Sequence, residues 1–399
     1  MLAKQLNERI TQTDPGTPAG ELLRRYWQPV ALSREITPEG KPKHVRILGE
    51  DLVLFRDTAG RPGLLGLRCS HRLTSLAYGR VEDGGIRCPF HGWLYDIDGH
   101  CLEQPAEPEG STFKDKIQHP SYPCQELGGL VFTYMGPASR MPLLPRYEAL
   151  VREDGTRQAD YYSINSNYLQ NLEGAVDHRH ARFLHANRWS ENKAKIMAPP
   201  RPGVELRETD FGIWRMTTSG PTNTESQAFG HFFLPAGFLR TASDYRREGE
   251  VRKTQSWYVP ADDTHTLRFQ VGFAPFTSDG RAYEWPEPDA DPVMPGPEND
   301  YFRDYEQVDT ISGIACDAPG TSLKGLLAQD SMANETQGPV ADRTREHLGV
   351  YDQVLIDMRK MLLHAIDEVE AGRDPKHIIR DLEENDIVYI RGQEALELV

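Results

Sequence analysis

Two short pairs of metal-binding residues constrain this chain more than anything else in it. Cys69-Ser70-His71 is followed, after sixteen residues, by Cys88-Pro89-Phe90-His91. Incidental burial of thiols would not gather two cysteines and two histidines into two such tight pairs. A structural zinc site also uses this ligand set, but zinc fingers usually keep like ligands together, as Cys-x₂₋₄-Cys and His-x₃₋₅-His. Here each loop offers one thiolate and one imidazole. That mixed order suits a [2Fe–2S] cluster with both cysteines on one iron and both histidines on the other, clamped between two neighbouring loops.

Composition narrows the class. Lysine and arginine total 45 against 60 aspartates and glutamates, a net charge of −15, which argues against a nucleic-acid binder. No apolar run approaches the ~20 residues that span a bilayer. The N-terminal MLAKQLNERITQTDPG has neither a signal core nor a basic transit pattern. The expectation is a cytoplasmic protein with no membrane partner. Thr17-Pro18 reads as the N-cap and first turn of a short helix. From Lys43 short strands take over, with HVRILG and DLVLFRD flanking a turn at Gly49-Glu50-Asp51, and the β-rich module ends at Pro137 to Pro145. Asn165 to His185 reads as a polar helix, 203–275 as strands, and Pro286 to Pro297 as a surface excursion. Val354, Met358, Met361, Leu362, Ala365 and Val369 form one apolar helical face, with Gly372 as C-cap. Strands and helices are segregated, so the fold class is α+β.

CSHR and CPFHGWLYD resemble the Rieske motif. Respiratory Rieske proteins carry a further cysteine in each loop, joined as a disulfide. Thr74 and Phe90 stand at those positions here, so the resemblance is to the oxygenase-type domain. Cys101, Cys124 and Cys316 are unassigned. One departure is HRLTSL after His71, where many relatives have arginine-glycine.

A second constellation lies downstream, in Asn167 to His185. Asp177 and His180 share a helical face at i, i+3. His185 lies ~140° off that face, so one ion can take both histidines only if the helix distorts or ends between them. Asp-x₂-His-x₄-His after a Rieske module resembles the mononuclear-iron motif of the Rieske non-haem iron oxygenases, in its phthalate-dioxygenase branch. The resemblance covers nearly the whole chain. It implies His180 and His185 as iron ligands, with His178 an out-of-register rival. The third ligand is expected in LKGLLAQDSMANETQ, at Asp330, with Glu335 as fallback. Asp177 resembles the aspartate that joins the iron histidine of one subunit to a Rieske histidine of its neighbour, here His91. Glu173 is placed with Asp177 on this route.

The implied architecture is an N-terminal helical segment over 1–40, a Rieske domain over 41–145 and a helix-grip catalytic domain over 146–399. Activating O₂ takes two electrons, a Rieske cluster stores one, and nicotinamide delivers pairs. No dinucleotide fingerprint and no plant-type ferredoxin cysteine run is present. The resemblance therefore implies a separate NADH-dependent reductase with flavin and [2Fe–2S] centres. It also implies a homotrimer or a stack of trimers, Fe(2+), and an aromatic substrate, expected to be a carboxylate undergoing dioxygenation. A monooxygenase that demethylates aryl ethers is the alternative. A Rieske electron carrier would need only the first motif.

Overall fold

The computed structural model describes residues 2–38, 40–186, 188–197, 204–219, 226–241, 252–286, 293–306, 309–315 and 324–390. Cys316 and the middle of the Pro286–Pro297 stretch lie outside them. The fold is α+β, with four antiparallel sheets among the described residues and helices grouped around the largest. Among the described residues no helix is long and apolar enough to cross a membrane.

Two four-stranded sheets build the N-terminal module. One joins Lys43–Ile47, Glu50–Arg56, Pro62–Gly66 and Ser121–Tyr122; the other joins Arg80–Glu82, Gly85–Arg87, Leu94–Asp96 and Cys101–Glu103. The first hairpin turns one residue earlier than the sequence suggests. Leu48 (φ 50°) and Gly49 (φ 77°) form the two-residue turn, because both φ values must be positive to match the strand twist. A leucine is held there by its surroundings: the Leu48 and Gly49 amides donate to the carbonyls of Pro260 (2.7 Å) and Ala261 (3.0 Å). This turn fastens the module to the large sheet.

The third sheet takes its first strand, Gln28–Leu32, from within the N-terminal segment and pairs it with Leu130–Thr133, itself beside Cys124–Leu127. The fourth sheet has seven strands, with Gly155–Ile164 next to His265–Pro275 and Lys253–Asp262. One apolar core runs from the N-terminal helices through these sheets to the C-terminal helix, while a second encloses Cys69, Cys88, Trp93 and Tyr95.

Local signals explain the helices. The Thr17 hydroxyl caps Pro18–Arg24 by accepting from the Gly20 amide at 3.3 Å. Gln353–Glu370 buries Val354, Met358, Leu362, Ala365 and Val369, and Met361 only partly. It ends at Gly372 (φ 73°), with the Arg373 amide on the Glu368 carbonyl (2.8 Å) and the Gly372 amide on the Val369 carbonyl (3.0 Å). That pair of bonds is a Schellman closure, which needs a residue without a Cβ clash at positive φ.

Candidate metal centres

The two cysteine–histidine loops are near copies of each other. The Cys69 carbonyl accepts from the Leu73 amide at 2.9 Å, and the Cys69 amide donates to the Thr74 carbonyl at 3.0 Å. In the second loop the Cys88 carbonyl accepts from Gly92 at 3.1 Å, and the Cys88 amide donates to Trp93 at 2.8 Å. The residue four places after each cysteine is left-handed, Leu73 at φ 63° and Gly92 at φ 75°. Glycine suits that conformation; a leucine costs roughly 1 kcal/mol there.

This shared turn sends both thiols inward and both imidazoles outward. Cys69 and Cys88 are 1% and 3% exposed. The rings of His71 and His91 lie 4.5 Å apart, and His71 stacks on Trp93 at 4.6 Å, which sets its plane. Burial pushes the Cys88 thiol up, and the neighbouring Cys69 adds to the rise. Two adjacent thiolates in an apolar pocket need a cation, which a metal cluster supplies. The donor set and its symmetry fit a [2Fe–2S] group held by Cys69, Cys88, His71 and His91.

Tyr95 adds a tuning contact, its hydroxyl 3.2 Å from Cys69 Sγ. Burial raises the phenol well above its ordinary range, as does Cys69 beside it, so Tyr95 stays a protonated donor. A hydrogen bond to a ligand sulfur favours the reduced, more negative cluster. Tyr95→Phe should lower the cluster's reduction potential by about 20–60 mV, read by redox titration of the visible spectrum. An unchanged potential would remove this role.

The second group depends on a break in the chain. The helix Tyr168–Val176 is capped by Asn167, whose Oδ1 accepts from the Leu169 amide at 3.1 Å. The Asn167 Nδ2 donates to the carbonyls of Thr11 (2.9 Å) and Asp263 (2.7 Å), bracing the helix against the N-terminal segment and the large sheet. Tyr168, Leu169, Leu172 and Val176 are its buried face. The helix read over Asn165 to His185, which one shared ion requires to distort or end between His180 and His185, stops earlier, at Asp177, whose backbone is extended and whose Oδ1 accepts from the Arg179 amide at 2.7 Å. A carboxylate satisfying a backbone donor two residues on competes with the helix at that point.

A one-turn helix, Ala181–Leu184, then follows, with His180 as N-cap and His185 as C-cap. Their rings come to 5.2 Å, nearly perpendicular. Both Nε2 atoms face Asp330 Oδ1 on the helix Lys324–Glu335, at 3.6 Å from His180 and 3.3 Å from His185. All three ligand atoms lie within 4.8 Å of one another. Atoms ~2.1 Å from a shared ion and at right angles to each other lie ~3 Å apart, so the spacing accommodates one metal with open positions.

Gln329, which the sequence did not single out, orients this group. Its Nε2 donates to the Ile314 carbonyl at 2.7 Å, leaving Oε1 to accept from His185 Nδ1 at 2.6 Å. That assignment puts the His185 proton on Nδ1 and its lone pair on Nε2, toward the metal. The His180 Nδ1 is buried without a hydrogen bond, 3.8 Å from Asp177 Oδ2.

The other candidates are placed elsewhere. Glu173 is 8% exposed, its carboxylate held by Arg343 (2.8 and 3.1 Å) and Arg359 (2.7 Å), where it ties this helix to the C-terminal one. Glu335 accepts from the Asn165 amide and the Tyr301 hydroxyl, both at 3.0 Å. His178 has both ring nitrogens buried without a partner, and is not part of the His180–His185–Asp330 group. Burial and the charges of Arg215 and Arg179 push it down to about 3, so its imidazole is neutral. A cleft of about 720 Å³ bordered by Arg146, Glu148 and Lys253 contains none of these residues.

Comparison with known proteins places these two centres. Residues 26–123 match the Rieske [2Fe-2S] domain model, and residues 293–384 match the model described as LigXa C-terminal domain like. The chain is 34% identical to the 5,5'-dehydrodivanillate O-demethylase oxygenase subunit of a Sphingobium species, covering 96% of this chain and 84% of that one. It is 37% identical to the phenoxybenzoate dioxygenase subunit alpha of Ectopseudomonas oleovorans, covering 92% and 86%. The structure of NdmA from Pseudomonas putida CBB5 with caffeine shares the fold at a TM-score of 0.66 and 21% identity, over 89% of this chain and 94% of that one.

Proposed function

The chain belongs to the oxygenase subunits of the Rieske non-haem iron oxygenases, and from that premise we propose that it uses O₂ to hydroxylate an aromatic carboxylate. The observation that carries this reading is the coexistence, in one chain, of the double cysteine–histidine loop and the His180–His185–Asp330 group. An electron carrier would need only the first. The family's groups are a Rieske [2Fe–2S] cluster, a mononuclear Fe(2+), and O₂ as co-substrate. When bound, the cluster relays single electrons and the iron activates O₂.

The chain's own residues divide the work. Cys69, Cys88, His71 and His91 would hold the cluster. His180, His185 and Asp330 would hold the iron, which would supply O₂ activation, with Gln329 fixing the His185 proton on Nδ1. Electrons come from a separate partner, which we take to be an NADH-dependent reductase with flavin and [2Fe–2S] centres. We place the assembly as a head-to-tail trimer, alone or stacked. In it, Asp177 accepts hydrogen bonds from His180 and from His91 of the partner subunit. The unpaired His180 Nδ1 and the half-exposed Asp177 beside it support that bridge. The domain division at residues 40 and 145 and a cytoplasmic location belong to the same reading.

A second reading is O-demethylation, favoured by the 34% identity to an O-demethylase oxygenase subunit. Single turnover of the reduced, metal-loaded protein with ¹⁸O₂ separates the two. Two labelled atoms in a dihydrodiol of an aromatic acid are expected. One labelled atom, or formaldehyde with a phenol, would move the assignment to a monooxygenase. No product from any aromatic acid or methoxyarene would overturn the substrate class.

A further inference from the structure

Tyr162, Arg268 and Tyr258 stand in one row across three adjacent strands of the seven-stranded sheet, each directly opposite the next. Residues at one register of antiparallel neighbours point to the same face. The Arg268 guanidinium lies 5.5 Å from the Tyr162 ring centroid and 5.4 Å from that of Tyr258, and donates to the Tyr162 hydroxyl. Its Nε is buried with no acceptor. Arg215 shares this face by register and donates to the Val176 carbonyl, just before the iron ligands, so the row faces the metal-binding side of the sheet.

Arg268 is held between aromatic rings rather than against a counter-charge. Among the described residues no carboxylate forms an ion pair with it; Asp330 and Asp160 sense its charge only at a distance. Of the other arginines on this sheet, Arg240 faces the same side but is exposed to solvent. Arg157 donates to the Ala149 and Arg152 carbonyls, Arg207 pairs with Glu205, and Arg215, though its Nε also lacks an acceptor, donates to the Val176 carbonyl at the end of the helix that precedes the iron ligands. A desolvated guanidinium without a counter-ion is costly, and two aromatic faces offset only part of that cost. A ligand carboxylate arriving over the iron would supply the missing charge, and the planar fork matches it in two hydrogen bonds.

We propose that Arg268 is the specificity-determining residue of this oxygenase, receiving the carboxylate of an aromatic acid between Tyr162 and Tyr258 and so fixing which ring carbon faces the iron. The assignment rests on the aromatic-acid reading above. Its test is calorimetric titration of the anaerobic, cluster- and iron-loaded protein with phthalate and 3-phenoxybenzoate, each against its neutral amide. The wild type is expected to prefer the acids. Arg268→Gln, checked for unchanged iron and cluster content, should weaken the acids by about 10- to 100-fold and leave the amides within about threefold. Arg268→Lys should fall between, keeping the charge but losing the fork.

Each other outcome has a defined meaning. Equal weakening of acids and amides would make Arg268 a packing residue and overturn the proposal. An unchanged preference for acids in Arg268→Gln would place the carboxylate elsewhere, and the proposal would fall while the substrate class stood. No preference in the wild type would remove the substrate class and the proposal with it. If Arg268→Gln does not take up its metals, Tyr162→Phe decides, since it unties the guanidinium without changing its charge. Selective weakening of the acids then supports the assignment, and none overturns it.

Discussion

His180→Ala should leave a protein with a normal Rieske spectrum and about two iron atoms per chain instead of about three. Product formation should drop by at least on the order of 10³-fold. The two metal groups separate cleanly because they rest on different supports. Cys69 and Cys88 belong to an apolar cluster with Trp93 and Tyr95, whereas His180 follows a helix packed into the other core. Removing one imidazole leaves a single histidine and Asp330 to hold the ion, and two ligands do not define a facial site. His178→Ala is the control, since that ring lies outside the ligand group, and it should keep its third iron. Retention of iron in His180→Ala, or its loss in His178→Ala, would show that the ligand set has been misassigned. Iron analysis and visible absorption read both results.

Asp177→Asn is expected to keep both metals and still slow product formation by about 10²- to 10³-fold. The change is isosteric, and the side-chain oxygen can still accept from the Arg179 amide at the helix break. An amide has one acceptor oxygen, however, and its nitrogen would present a donor to imidazole N–H groups. On the proposed bridge the step affected is delivery of the electron between subunits, so stopped-flow oxidation of the reduced cluster should slow as much as turnover does. Substrate binding should be unchanged. Full turnover in Asp177→Asn would end the bridging assignment, and slow turnover with normal cluster oxidation would move the role of Asp177 into the iron site itself.

Legibility in this sequence follows the distance between partners along the chain. The cluster loops were readable because each contributes its cysteine and histidine within four residues, and the glycine-tryptophan that follows is part of the same turn. His180 and His185 were readable as a pair, but the stop at Asp177 was not. It depends on one carboxylate capturing the Arg179 amide, a competition that periodicity does not register. Asp330 was reachable only through family resemblance, since nothing local distinguishes it from another helix acid. Gln329 and Arg268 stayed hidden for a related reason. The first is defined by Ile314 and His185, the second by a register joining Gly155–Ile164 to a strand a hundred residues later. Glu173 carried no sign of its arginines, which come from near the other end of the chain.

The abrupt stop at Asp177 also has an electrostatic consequence. The peptide dipoles of Tyr168–Val176 add along the axis and leave partial negative charge at its last carbonyls. A carboxylate stands at that same end, the opposite of the usual placement, so two sources of negative potential coincide. Arg215 offsets part of this by donating to the Val176 carbonyl. What is left attracts N–H groups and repels acids, over a range that salt shortens to about 8 Å at physiological strength. A subunit approaching this end would be drawn in by an imidazole and turned away by a misaligned acidic face. In a chain with fifteen more negative than positive charges, such a local preference for a donor would help two like-charged copies of the proposed trimer meet in one orientation.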